Sequence, residues 1–233
     1  MYIFHHLGIG DHIICNGMVR YFTQIYQSEN IRLFCHDHYK ENIKYMYRDE
    51  ERIIVLPIKN ENRIHHFLSK TTDKSIKIGF YDLAAYEHGY KTQHSTKTFD
   101  EAFYDLAQLN FKIRFDNFFV ERNADKEEEA LDYLNPNREE YIYVHDASER
   151  GFVIDPLKHR SDLKIIRNDF KYNIFQFRKV LENATEIHTM QTGMLDFCNS
   201  VPLEKPKIFV HKYVRNYDDF ILAKGINSVN LIS

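Results

Sequence analysis

Residues 2–26, YIFHHLGIGDHIICNGMVRYFTQIY, contain a short apolar run, a loop with two glycines and a helical pattern. Residues 2–5 favour a strand, and Gly8 and Gly10 lie in the loop that follows it. Apolar side chains then recur at spacings of three and four, which predicts one face of a helix: Ile14, Met18, Phe22, Ile25 and Tyr26. The segment therefore predicts a strand, a tight loop and a helix, the repeating unit of α/β proteins.

The same alternation continues along the chain. Further strands are predicted at residues 31–35, 53–56, 76–80, 141–145, 164–167, 184–190, 207–210 and 229–232, with Pro57 ending the third strand. Helices are predicted around residues 39–47, 99–109, 124–134, 174–181 and 193–200, and residues 81–98 are polar and irregular. Because the strand-loop-helix start recurs near residue 141, we predict an α/β fold of two Rossmann-like parallel-sheet domains, residues 1–122 and 123–233, facing a cleft.

Composition excludes several classes of protein. The 233 residues are 43% hydrophobic and 28% charged, which is typical of a globular chain. A net charge of −3 argues against a nucleic-acid partner. No apolar run approaches the roughly 18 residues of a membrane span, and the opening residues lack the pattern of a secretory leader. Three widely spaced cysteines favour reduced thiols, so we expect a cytoplasmic protein without a transmembrane segment.

The first glycine loop allows two interpretations of Asp11, which falls in the first turn of the predicted helix. Its carboxylate either caps the helix and interacts with its dipole, or acts as a general base at the carboxyl edge of a parallel sheet. The loop is not a dinucleotide fingerprint, because Ile13 occupies the position of the third glycine. His12, next to Asp11, is a candidate contact for an acceptor or a phosphate.

Two loops in the second half contain groups that bind phosphate. Thr192 can cap the helix that follows residues 184–190, and Gly193 exposes amide groups to phosphate oxygens. Arg150, in the loop after residues 141–145, can neutralise a phosphate through a bidentate contact or be a solvated surface side chain.

No metal or cofactor is expected. His36 and His38 are two residues apart, but the sequence has no Cys-x-x-Cys or His-Glu-x-x-His spacing to complete a metal site. A Cys-His nucleophile pair stays open, although no local motif supports it.

Three of these loops together resemble a known family. LGIGDHI at residues 7–13 resembles the LGDxxxxxP opening of heptosyltransferase-like glycosyltransferases of the GT-B fold, and TGMLD at residues 192–196 resembles their DTGLSH motif. Residues 99–107 and 114–118 are also similar to short glycosyltransferase-like proteins of bacteria and large viruses.

The resemblance implies an inverting, metal-independent enzyme that moves a sugar from a nucleotide-diphosphate-sugar donor to a hydroxyl of a glycan or other acceptor. The first domain would bind the acceptor and the second the nucleotide-sugar. The roles that it implies are the catalytic base for Asp11, donor diphosphate binding for Arg150, Thr192, Gly193 and Gly10, and acceptor binding for His12 and Gly8.

Two alternatives remain. Gln191 stands where the family has an aspartate, and the chain is shorter than a typical GT-B enzyme, which favours a non-catalytic nucleotide- or sugar-nucleotide-binding module. The other alternative is a nicotinamide-dependent oxidoreductase with a single α/β domain. The absence of the third glycine of the dinucleotide fingerprint argues against it.

Overall fold

The structure, a computed structural model, describes residues 1–79, 97–155, 163–212 and 224–232. The chain divides into two compact units, Met1–Glu121 and Arg122–Ser233. Among the described residues, no helix has both the length and the apolar character needed to cross a bilayer.

The first unit is built on a four-stranded parallel sheet with the strand order β3-β2-β1-β4. Its strands are β1 (Tyr2–Phe4), β2 (Ile31–His36), β3 (Ile53–Ile58) and β4 (Ser75–Lys77). Its helices are α1 (Ile9–Ile25), α2 (Lys40–Met46), α3 (Asn62–Lys70), α4 (Phe99–Leu106) and α5 (Ile113–Asp116). The strands are short and apolar, and Ile3, Phe4 and Leu33 are wholly buried in the core beside them.

The second unit has a five-stranded parallel sheet with the order β6-β5-β7-β8-β9. Its strands are β5 (Tyr141–His145), β6 (Lys164–Arg167), β7 (Glu186–Thr189), β8 (Lys207–His211) and β9 (Val229–Ile232), and its helices are α6 (Ala124–Leu134), α7 (Arg178–Asn183) and α8 (Gly193–Ser200). Tyr141 and Tyr143 lie on the face that contacts the segment 174–183: the Tyr141 hydroxyl donates to the Val180 carbonyl at 2.5 Å, and the Tyr143 ring packs on Phe177. The predicted α/β class with two parallel sheets is confirmed.

Several predicted boundaries are wrong for local reasons. Pro57 does not end β3, because β3 is an edge strand, where a residue without an N–H group is tolerated. The helix predicted for residues 99–109 ends at Leu106, since Gln108 has a φ of 55° and the chain closes with Leu109 N–H donating to the Tyr104 carbonyl. Ile25, predicted on the apolar face of α1, is 51% exposed.

Other elements differ in kind. The predicted helix at residues 174–181 is a 3₁₀ turn, Ile174–Phe177, followed by α7. The helices α3 and α5 were not predicted. Most of the irregular segment predicted at residues 81–98 lies outside the described residues.

Candidate functional site

Asp11 lies at the carboxyl edge of the first sheet, in the loop-helix junction that follows β1. Gly8 is the N-cap residue of α1 and Asp11 is the third residue of the helix. The Asp11 carboxylate turns back over Gly8 so closely that a Cβ atom on Gly8 would lie 2.6 Å from Oδ2. A Cβ atom at this position would therefore displace the carboxylate, and Asp11 faces the N-cap backbone as the acidic residue of a capping box does. The capping interpretation and the catalytic one predict the same place for this carboxylate.

Electrostatics distinguish the two roles better than position does. Burial raises the pKa of Asp11 to about 7, because the half-buried carboxylate has lost much of its hydration. Hydrogen bonding to the backbone N–H groups of Gly8 and Asp11 lowers this pKa, and the negative charge of Glu61 raises it. A carboxyl group that serves only as a cap at a helix N-terminus has a depressed pKa. A pKa near neutrality suits a group that accepts and releases a proton during a reaction.

His12, predicted to contact an acceptor, is wholly buried and packs edge-on against His5, with 4.4 Å between the ring centroids. Burial holds the pKa of His12 well below its usual range, so the ring is neutral at pH 7 and adds no positive charge for a phosphate. Both ring nitrogens lack a hydrogen-bond partner within the described ranges. Acceptor binding by His12 and Gly8 stays a prediction.

Sequence reasoning missed a contact between a histidine and a glutamate at the same edge of the sheet. His36, the last residue of β2, places Nε2 3.0 Å from Oε1 of Glu61, which lies between β3 and α3. His38 stacks on His36 with 5.2 Å between the ring centroids. The only indication of this contact in the sequence was that His36 directly follows the strand predicted at residues 31–35. No group of three or more His, Cys, Asp or Glu side chains has metal-binding geometry in the portion of the chain that the structure describes.

Arg150 is displayed by a tight loop after β5 in the second unit. Ser148–Arg150 form a 3₁₀ turn, and Gly151 follows with a φ of 80°, in the left-handed region that glycine adopts without strain. The Arg150 guanidinium is exposed and lies 5.7 Å from the centre of the Phe152 ring. Among the residues that the structure describes, it pairs with no carboxylate, so its charge is available to an anion.

Thr192 is the N-cap residue of α8, as expected, but its side chain does not cap the helix. Its hydroxyl donates to the Met190 carbonyl at 3.4 Å and accepts no hydrogen bond from the first turn. This corrects the capping role predicted for Thr192. The Thr192 side chain therefore leaves the first N–H groups of the helix to other acceptors, for which phosphate oxygens are suitable. Asp196, also in the first turn, adds a negative charge that opposes such an anion.

Register brings the two loops of the second unit to one edge. The strands β5 and β7 are hydrogen-bonded neighbours, with His145 opposite Thr189 at their carboxyl ends. The loop of Arg150 and the turn at Thr192 and Gly193 follow directly from these strands. In open α/β sheets, ligands bind at this edge. Gly8, Gly10, Asp11 and His12 all lie in the first unit.

The comparisons with known proteins agree with the fold. No protein-family model matches the chain, and a search of curated proteins finds no significant match. Among solved structures, the chain is similar to a glycosyl transferase of family 9 from Veillonella parvula, with 11% identity and a TM-score of 0.54 over 90% of this chain and 79% of that one. It is also similar to the ADP-heptose lipopolysaccharide heptosyltransferase II of E. coli, with 9% identity and a TM-score of 0.57 over 90% of this chain and 83% of that one.

At this level of identity the likeness is one of fold. The resemblance predicted from the loops at residues 7–13 and 192–196 is therefore confirmed as a resemblance of fold to family 9 and heptosyltransferase structures.

Proposed function

We propose that this chain is a glycosyltransferase that moves a sugar from a nucleoside-diphosphate-sugar to an acceptor hydroxyl, with inversion and without a metal ion. The observation that carries the proposal is the place of the Asp11 carboxyl group, in the first turn of α1 at the carboxyl edge of a parallel sheet, in a chain whose fold is that of glycosyltransferases. The heptosyltransferase with a similar fold uses an ADP-linked sugar, as its name states, which supports a nucleotide-linked donor here.

In this proposal Asp11 accepts the proton of the acceptor hydroxyl as its oxygen attacks the anomeric carbon of the donor. The bond from that carbon to the diphosphate oxygen breaks, and its electron pair leaves with the nucleoside diphosphate. Attack from the side opposite the leaving group inverts the configuration of the anomeric carbon. A base near its pKa at neutral pH contributes about 10²–10⁴-fold to such a step.

The second unit would stabilise the leaving group. Negative charge grows on the diphosphate as the glycosidic bond breaks, so cations and amide donors aimed at it favour the transition state over the ground state. Arg150 supplies a guanidinium without a described carboxylate partner, and the uncapped start of α8 at Thr192 and Gly193 supplies N–H groups. Gly10, in the first turn of α1, has no side chain to obstruct a phosphate that approaches the backbone.

A non-catalytic module that binds nucleotides or nucleotide-sugars is the second candidate. Gln191 favours it, because the resembling motif has an aspartate at this position. The two candidates share donor binding and differ in turnover.

A thermal-shift panel of nucleoside diphosphates and nucleotide-sugars tests donor binding, followed by donor-hydrolysis and transfer assays with any ligand that binds. Stabilisation by one nucleoside diphosphate together with release of that diphosphate from its sugar conjugate is the expected result. Binding without release over long incubation favours the module, and no shift with any member of the panel contradicts both candidates.

A further inference from the structure

The loop that presents Arg150, residues 146–154, is closed by hydrogen bonds near its tip. Ala147 and Phe152 exchange both backbone hydrogen bonds, each at 3.1 Å. Within them, Arg150 N–H donates to the Ala147 carbonyl at 2.9 Å. We name residues 146–154 the arginine loop.

A charged pair between the buried Asp146 carboxylate and the exposed Arg167 ties the base of the arginine loop to the neighbouring strand. Asp146 is 3% exposed, and its Oδ2 accepts from Ile154 N–H at 3.0 Å and pairs with the Arg167 guanidinium at the end of β6. Arg167 also donates to the Ile154 carbonyl at 3.0 Å, so both backbone groups of Ile154 are held by the same pair. The N–H of Asp146 donates to the side chain of Asn168 at 3.4 Å.

The same region links the arginine loop to the start of α8. Ala147 and Ile154 belong to a buried apolar cluster that also contains Met190, two residues before Thr192. The side chains at the tip, Ser148 and Arg150, are exposed, so apolar packing contributes little to the position of the tip. A charge-assisted hydrogen bond to a buried carboxylate has the strength and direction to fix the ends of such a loop.

We propose that Asp146 and Arg167 are positioning residues that hold the arginine loop in the conformation in which Arg150 binds the donor diphosphate. The proposal rests on the proposed function, since it assigns the purpose of the pair to donor binding. Asp146 acts through Arg150 and touches neither the donor nor the acceptor.

A double-mutant cycle tests the proposal on the full chain, with the dissociation constant of the nucleoside diphosphate that binds best as the readout. Arg150→Ala and Asp146→Asn are each expected to weaken binding about 10-fold, because each removes the same charge-assisted contact, directly or by misplacing it. The double variant is expected to bind within about 2-fold of either single variant. Independent losses that multiply to about 100-fold, or unchanged binding by Asp146→Asn, overturn the proposal.

Amide hydrogen exchange without ligand gives a second readout that does not depend on the function. Asp146→Asn is expected to speed exchange across residues 147–154, whereas Asp125→Asn, which removes an exposed carboxylate at the start of α6, leaves it unchanged. Unchanged exchange in Asp146→Asn contradicts the positioning role whatever the chain binds.

The two readouts separate the possible failures. Faster exchange in Asp146→Asn, together with a wild type that binds no nucleoside diphosphate, means that the proposed function is wrong and the assignment to donor binding falls with it. Should Asp146→Asn fail to fold, Arg167→Lys replaces it in the cycle, because it keeps the charge beside Asp146 and removes the donor to the Ile154 carbonyl.

Discussion

Asp11 combines two opposing influences on one carboxyl group. The backbone N–H groups at the start of α1 favour the carboxylate, as at any helix N-terminus, whereas burial and the charge of Glu61 favour the protonated form. Burial is the largest of these, so the pKa rises from 3.8 to about 7. Gly8 makes this possible, since any larger residue would displace the carboxylate from its place over the N-cap.

Asp11 is expected to make stability fall as pH rises from about 4 to about 7. In this window the folded chain keeps a proton that the unfolded chain releases, so the unfolded state gains stability with pH. One unit of pKa corresponds to about 1.4 kcal/mol. Between pH 4 and pH 8, the free energy of unfolding of Asp11→Asn should therefore rise relative to that of the wild type by on the order of 2–4 kcal/mol. Urea unfolding at the two pH values measures this difference.

The wild type must be compared with Asp11→Asn, because buried histidines change the pH dependence of stability in the opposite direction. Burial lowers the pKa of His5 to about 4 and holds that of His12 well below its usual range, so both histidines favour folding as pH rises. Asp116→Asn, an exposed site in the same unit, is the matched control and should follow the wild type. An Asp11→Asn curve parallel to the wild type would show that Asp11 ionises normally.

Arg150→Ala is expected to weaken the binding of a nucleoside diphosphate about 10-fold, which is the loss of one charge-assisted contact to phosphate. Stability should change by less than about 0.5 kcal/mol, because the side chain is exposed. Calorimetric titration and thermal melting check the two statements. Arg138→Ala is the matched control, since this exposed arginine pairs with Glu128 and Asp132. Equal effects of the two variants on binding would exclude a specific role for Arg150.

At the scale of the elements, the local sequence pattern predicted the helices and strands whose ends are determined by local interactions. The bounds of α6, α8, β5 and β6 follow the sequence closely, because caps, turns and apolar runs mark both ends of each. The helix α3 was not predicted, because most of its described side chains are exposed and only Ile64 among them is fully buried. β3 continues past Pro57 for a reason that only strand order reveals.

The residues of the candidate site were likewise predicted only where a local pattern indicates them. Gly8, Asp11 and Arg150 were found because each follows a strand, and parallel strands bring such loops to one edge. The pairs His36–Glu61 and Asp146–Arg167 join residues more than 20 positions apart, and no local spacing indicates them. The raised pKa of Asp11 depends on burial, which a single carboxylate in a loop does not reveal in advance.

Arg20 joins α1 to the end of α2 and to the loops of Asp49 and Phe119 in the first unit. From α1 its guanidinium contacts both carboxylate oxygens of Asp49 at 2.8 Å, the Met46 carbonyl at the end of α2 at 3.1 Å and the Phe119 carbonyl at 2.8 Å. Arg20→Ala is expected to destabilise the chain by about 3 kcal/mol, because it leaves a largely buried carboxylate and two carbonyls without their donor. Denaturant unfolding measures the loss.

Arg32→Ala provides the comparison for Arg20. The guanidinium of Arg32 lies 3.8 Å from Asp73, and both side chains are exposed, so the loss should stay below about 1 kcal/mol. If the free energy of unfolding fell equally in both variants, Arg20 would contribute no more to stability than an exposed arginine.

At the scale of the whole molecule, the two units contribute different groups to the proposed reaction. In the proposed reaction the first unit would supply the carboxyl group of Asp11, and the second would supply Arg150 and the start of α8. This division agrees with the alternation of strands and helices that restarts near residue 141.

A nucleoside diphosphate is therefore expected to protect the second unit most. At saturation, amide exchange should slow in residues 146–154 and 190–196 more than in residues 8–12, because the proposed diphosphate contacts other than Gly10 lie in the former. Mass-spectrometric hydrogen exchange with and without ligand measures this, with adenosine as the control that lacks phosphate. Protection confined to the first unit would contradict the assignment of the donor loops.

The most direct test of the central claim is the rate of sugar transfer by Asp11→Asn, measured beside its affinity for the nucleoside diphosphate. We predict that transfer falls by about 100-fold or more while the dissociation constant stays within about 2-fold of the wild-type value, because Asp11 moves a proton and does not hold the diphosphate. Turnover equal to that of the wild type would contradict the claim that Asp11 is the base.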